Sequence, residues 1–295
     1  MSLLSTAAFC TSKKHDELEV IEINHPNCSA RLSLQGAQLL SFKPAKQADL
    51  LWLSDSVEYK AGQSLRGGIP ICWPWFGVVD KNCDEVKKAI HSDAAHGFAR
   101  TQQWQLHSLK ESVQGVKISL CLEANNETLK LWPFQFKLFA HFDFTHSVSL
   151  SLETVNTDSK SMCFTQALHT YFPTTDIQTT SIKGLNKISY IDALDSWQEK
   201  QQIGPVSFNQ EVDRIYKSGG PFLLNSPKQN LLLKTQNSQS TIIWNPWVKK
   251  SKTLSQFSHT DYLTMFCVES ANALEDVVRL KPNQSHCLVM TLSSQ

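Results

Sequence analysis

The sequence predicts an all-β protein, a large antiparallel β-sandwich, and two observations carry the prediction. Hydrophobic residues recur mostly at every second position, and no strand–helix–strand alternation of the kind that builds a parallel sheet appears. Ala30, Leu32 and Leu34 alternate with Arg31, Ser33 and Gln35. Val116, Ile118, Leu120 and Leu122 alternate with Lys117, Ser119 and Cys121. Phe136, Leu138, Ala140, Phe142 and Phe144 form a longer series, continued by Val148, Leu150 and Leu152. Further strands are expected at 50–53, 162–172, 187–191, 222–224, 230–235, 240–244, 262–269 and 286–292. Helical patterning is confined to 81–90 and 271–278, and neither segment has a full amphipathic stripe. Many short strands with one-sided patterning fit a sandwich or a barrel.

Composition narrows the class. The 295 residues are 41% hydrophobic and 19% charged, which excludes a charge-driven disordered chain. The net charge is +1 and no basic block occurs, which argues against nucleic acid as a partner. The densest cluster, Lys249, Lys250 and Lys252, reads as a solvated loop. No apolar run reaches the roughly 18 residues of a membrane helix, and the opening MSLLSTAAFC lacks the basic region of a secretory signal. Eight cysteines include no CxxC and no Cys/His metal spacing, so neither a metal nor a cofactor is expected. Cys121, Cys163, Cys267 and Cys287 sit among apolar or β-branched neighbours and read as buried thiols, which suits a cytoplasmic protein. With no linker and no internal repeat, residues 1–295 read as one domain, with 1–17 a loosely attached N-terminal segment.

Several segments do not read as ordinary core. Residues 65–77, LRGGIPICWPWFG, hold two prolines, two adjacent glycines, three aromatic rings and a single charge, Arg66. Proline cannot donate to a ladder, so this is no central strand. It is either an aromatic plug for one end of the sandwich or an apolar wall that aims Arg66 into a cleft. HGFAR places His96 and Arg100 around a glycine, as a surface turn or, if Arg100 meets Arg66, as half of an anion clamp. His169 in ALHTYF shares a strand face with Tyr171 and is either a satisfied structural histidine or a reactive one. Glu269 ends the apolar run YLTMFCVE, as a strand end reaching water or as a buried acid in a cleft. In VDRIY, Asp213 lies next to Arg214, and WNPW at 244–247 offers indole rings as core or as a sugar platform. Dinucleotide, P-loop, nucleophile-elbow and zinc-protease motifs are absent.

Taken in order, LRGGIPICWPWFG, HGFAR, ALHTYF, VDRIY, WNPW and CVE resemble the glucose-6-phosphate 1-epimerase family, the hexose-6-phosphate mutarotases, from about residue 18 to the C-terminus. The resemblance implies a galactose-mutarotase-like supersandwich and interconversion of the α and β anomers of an aldohexose 6-phosphate. It implies that His169 and Glu269 are the catalytic pair. Arg66 and Arg100 would hold the substrate through its phosphate, and His96 and Asp213 would line the same pocket. Some members carry Gln where this chain has Ala95, and the Trp73–Pro74–Trp75 run also varies among members.

The residue types suit the chemistry. Ring opening needs a proton removed from the C1 hydroxyl and one delivered to the ring oxygen, tasks for Glu269 and His169. The implied partner is a small-molecule sugar phosphate, with the chain a monomer or weak dimer. Two other readings stand beside this one: a non-catalytic sugar-binding sandwich, and a mutarotase for free aldoses.

Overall fold

The computed structural model describes residues 3–295. Among them, strands join into antiparallel sheets of nine, eight, four and two strands. The nine-stranded sheet contains the segments with the cleanest alternation, Val116–Glu123, Phe136–Phe144 and Val148–Asn156, and the last two pair along their whole length. Their alternate residues are buried, as a sheet with one covered face requires. Phe136, Leu138, Ala140, Phe142 and Phe144 point into the core, and the intervening Lys137, His141 and Asp143 do not.

The eight-stranded sheet is different. Every residue of Ser240–Asn245 and of Met265–Asn272 is buried, so both faces of its centre are covered. Side chains alternate between two hydrophobic clusters. Ile243, Phe266 and Val268 join the main core, which also takes Leu150, Leu152, Met290 and Leu292 from the nine-stranded sheet. Thr235 and Ser270 share a 2.7 Å hydrogen bond across the two sheets. On the opposite face, Ile242, Trp244, Met265, Cys267 and Ala271 form a second cluster with Tyr171 and Phe257. Two-sided burial is what makes a carboxylate on this second face unusual.

The structure revises several sequence expectations. Residues 10–15, part of the segment expected to be loosely attached, form strand Cys10–His15, paired in full register with Leu18–His25. The Glu111 carboxylate also accepts the N–H groups of Ala8 and Phe9. Residues 50–53 are not a strand: the Asp49 carboxylate takes the Leu51 N–H, and Trp52 N–H turns to the Tyr171 carbonyl. The expected helix at 271–278 is the end of a strand followed by a turn through Leu274 at φ 56°. That at 81–90 reduces to Asp84–Lys87. All eight cysteines are free, but Cys121 and Cys287 are only half-buried because they lie on the outer face of alternating strands. No helix among the described residues is long and apolar enough to cross a membrane.

Candidate active site

The expected single strand 162–172 is three short ones, Met162–Phe164, Gln166–Leu168 and Tyr171–Pro173. Interruptions at Thr165 and His169 coincide with donation of their N–H groups to the carbonyls of Pro74 and Pro70. The last two pieces nevertheless keep one register against Met265–Asn272, with Leu168 opposite Ser270 and Tyr171 opposite Cys267. That register sets His169 opposite Glu269. Directly opposed residues of an antiparallel pair point to the same face, and His169 Nε2 lies 3.4 Å from Glu269 Oε1. A hundred residues of sequence separate them, and the sheet brings them together.

The same face assembles the rest. Asp213 is opposite Trp244, Trp244 is opposite Cys267, and Cys267 is opposite Tyr171, a row across four strands. The Tyr171 ring stacks on His169 at 4.8 Å and 11°. Trp244 meets His169 edge-on at 5.9 Å. Loops close the other side. Arg66 donates from Nη1 to the Tyr171 hydroxyl and from Nε to the Ser255 carbonyl, each at 3.3 Å. Arg100 donates to the carbonyl of Ala95 at 2.9 Å, so Ala95 contributes its backbone to the site.

The loop 65–77 serves both roles that the sequence allowed. Trp73 and Trp75 are fully buried in the core, and Trp73 donates its indole N–H to Thr154 of the nine-stranded sheet. Arg66, Pro70 and Phe76 face the cavity instead. HGFAR is fastened to this loop, because the Trp73 carbonyl accepts the N–H groups of both Phe98 and Ala99. His96 and Gly97 adopt φ 66° and 65° to permit it. A Cβ on Gly97 would lie 2.0 Å from the Trp73 oxygen. Gly97→Ala is therefore expected to cost about 2–4 kcal/mol, read as a fall in urea midpoint with an unchanged slope. A variant as stable as wild type would show that the close approach does not constrain the loop.

Arg66, His96, Arg100, His169, Asp213 and Glu269, all six residues named from the sequence, line one cavity of about 290 Å³. This is near the lower end of small-molecule sites, roughly 300–1,000 Å³. Tyr171, Trp244 and Lys250 also line it and were not assigned to the site from sequence. Lys250 lies 3.7 Å from Asp213 and 3.8 Å from Glu211. Of the three lysines, Lys249 and Lys252 do not line the cavity. A larger hollow of about 910 Å³ lies around Trp197 and Arg279, but its lining has no histidine and no buried acid facing a base.

The electrostatics follow from burial. Glu269 is 1% exposed. Desolvation holds its carboxyl well above the usual range, and the Asp213 charge adds to this. Desolvation drives His169 well below the usual imidazole range, helped by His96, Arg66 and Arg100. Among the described residues, Glu269 Oε2 and His169 Nδ1 have no hydrogen-bond partner. Unpaired buried polar atoms are costly, and both residues line the cavity. The thiol of Cys267 completes a trio with His169 and Glu269 whose donor atoms lie within 4.8 Å of one another. These are donor types that a metal accepts, and burial holds the Cys267 thiol protonated, so an ion bound here would have to displace that proton.

Burial first, then Arg100, Arg66 and Lys250, push His96 down to about 3. Its Nδ1 accepts the Gly77 N–H at 3.3 Å, which leaves Nε2 as the donor. Its folded pKa lies below its unfolded value, so its contribution to stability is whole above about 6.5 and is lost as the pH falls toward 3. His96→Asn, which tolerates positive φ, is expected to remove about 2 kcal/mol of the stability lost between about pH 7.5 and about pH 5. Denaturant titrations at the two pH values measure it. An identical pH loss in wild type and variant would mean that His96 protonates freely in the folded protein.

The chain is similar to known proteins over nearly its whole length. The family model described as aldose 1-epimerase matches residues 19–293. The chain is 35% identical over 278 residues to the Escherichia coli (strain K12) protein named "Putative glucose-6-phosphate 1-epimerase", covering 93% of this chain and 90% of that one. A Salmonella typhimurium protein of the same name is 32% identical over 277 residues, covering 91% and 89%. The crystal structure of a "putative mutarotase" from Salmonella typhimurium superposes with a TM-score of 0.89 at 28% identity, over 98% of this chain and 94% of that one. A sandwich that sets an imidazole against a buried carboxyl, together with a family match over nearly its whole length, identifies the chain as a member of the aldose 1-epimerase family.

Proposed function

We propose that this aldose 1-epimerase acts on an aldohexose 6-phosphate, with glucose 6-phosphate as the preferred substrate, through acid–base ring opening and closure. The observation that carries the reading is the cavity itself. It combines the His169–Glu269 pair with two guanidinium groups, Arg66 and Arg100, that form no ion pair with any carboxylate among the described residues. A sugar phosphate supplies both needs, a hemiacetal for the pair and an oxyanion for the forks. The names of the E. coli and Salmonella relatives support the same substrate.

The chemistry starts from the sharing of one proton. A carboxylic acid beside a neutral imidazole, and a carboxylate beside an imidazolium, hold the same number of protons and interconvert across the 3.4 Å gap. In the second form Glu269 takes the proton of the C1 hydroxyl, the bond from C1 to the ring oxygen breaks, and His169 gives its proton to that oxygen. Opening leaves Glu269 protonated and His169 neutral, the arrangement that burial favours. The open-chain intermediate is thus formed beside a catalyst in its most comfortable state. Rotation about C1–C2 presents the other face of the aldehyde, and the reverse transfers close the ring. Each positioned transfer contributes roughly 10²–10⁴ in rate.

Exchange NMR of the anomeric protons, at low temperature where spontaneous mutarotation is slow, tests the proposal. The expected result is a kcat/KM for glucose 6-phosphate at least about tenfold above that for glucose, the discrimination of one charge-assisted contact. Equal acceleration of both sugars would make the protein a free-aldose mutarotase. No acceleration of either would leave a binding module.

A further inference from the structure

We propose that the phosphoryl group of the substrate activates the acid–base pair as well as anchoring the sugar, so that an oxyanion supplied separately turns on mutarotation of an unphosphorylated hexose. The inference rests on the reading above that the phosphate sits on Arg66 and Arg100. Geometry carries it. Arg66 is tied to the Tyr171 hydroxyl, and the Tyr171 ring lies flat against the His169 imidazole. The cation is therefore one aromatic ring away from the group that must become an imidazolium. His96, from the same turn as Arg100, meets His169 edge-on at 5.9 Å.

The charges around His169 are few and can be counted by element. Arg66 comes from the loop before Ile71–Cys72, and His96 and Arg100 come from the HGFAR turn. Asp213, Glu269 and the thiol of Cys267 come from the sheet, and Lys250 from the helix Trp247–Ser251. Lys250 is matched by Asp213 and Glu211, His96 is neutral, and Cys267 is held as the thiol. Two unmatched guanidinium charges remain, and both disfavour a positive His169. A dianion among them cancels that field at the moment the imidazolium is needed. With His169 12% and Glu269 1% exposed, that field is screened less than it would be at the surface.

This view makes the phosphate a source of rate and not only of affinity. It also predicts opposite effects of one substitution on two substrates. Arg66→Ala removes an anchor for the phosphate, yet it also removes a charge that opposes the imidazolium.

The test is exchange NMR of glucose with the full-length protein, with and without phosphite dianion, at constant ionic strength set with chloride. Phosphite is expected to raise kcat/KM for glucose roughly ten- to a hundredfold and to saturate. In Arg66→Ala the phosphite effect is expected to vanish, while the rate on glucose alone rises. If phosphite does nothing, or Arg66→Ala slows glucose and glucose 6-phosphate alike, the inference is overturned. Failure of the proposed function is distinct, because it would appear as an absence of turnover with glucose 6-phosphate itself.

Discussion

Glu269→Gln is expected to lower kcat for glucose 6-phosphate by about 10³-fold, within the roughly 10²–10⁴ range of a positioned proton transfer, with no loss of thermal stability. The amide keeps the shape of the carboxyl but cannot accept the C1 proton. Stability should hold because the wild-type group is already disfavoured as an anion at this depth. Among the described residues its Oε2 has no hydrogen-bond partner to lose. His169→Asn is expected to be similarly damaging, and the double variant little worse than either single one, because two residues that pass one proton act as a unit. Steady-state exchange rates together with thermal melts separate the alternatives. An active Glu269→Gln would remove the residue from the chemistry, and a large fall in melting temperature would assign it to the core.

Arg66→Ala is expected to lower kcat/KM for glucose 6-phosphate by about 10²-fold, mostly through a higher KM. A charge-assisted hydrogen bond contributes roughly 1.5–3 kcal/mol, and each 1.4 kcal/mol is tenfold. Its present partners are a phenol and a carbonyl at 3.3 Å, weak contacts that a phosphate oxygen can replace. Arg66→Lys should recover only part of the loss, since an ammonium cannot offer a planar fork. Measurement of KM for glucose 6-phosphate in the three proteins decides it, and an unchanged KM in Arg66→Ala would remove the phosphate from this guanidinium.

The fold was legible wherever one face of a strand meets water. Phe136–Phe144 and Val148–Asn156 declare themselves because Lys137, His141, Asp143 and their neighbours mark the outer face. Legibility fails where both faces are covered. In 162–172 one strand-like stretch hides two interruptions, which coincide with hydrogen bonds to the carbonyls of Pro70 and Pro74, residues almost a hundred positions away. The short pair Ile71–Cys72 lies between two prolines and carries no period at all. The helix Asn126–Leu131 did have a local signal, a cap in which Asn125 receives the Thr128 N–H and Thr128 returns its hydroxyl, but it lies in a polar stretch without a stripe.

The site divides in the same way. Its residue types were readable from composition against context: one arginine in an aromatic loop, one acid at the end of an apolar strand. Their convergence was not, because it depends on a register between strands a hundred residues apart. Tyr171 and Lys250 escape the sequence reading as cavity-lining groups, and Trp244 remains an alternative between core and sugar platform, for the same reason. Tyr171 had a usable signal, since its spacing of two from His169 places both on one face.

A crystal structure with 1,5-anhydroglucitol 6-phosphate shows whether the acid–base pair and the two arginines serve one bound sugar. This sugar keeps the ring oxygen and the phosphate but lacks the C1 hydroxyl, so it cannot open. Its ring oxygen is expected within hydrogen-bond reach of His169, with C1 turned toward Glu269 and the phosphate between Arg66 and Arg100. A sugar bound the other way round, with the phosphate against Glu269 or outside this cavity, would contradict it.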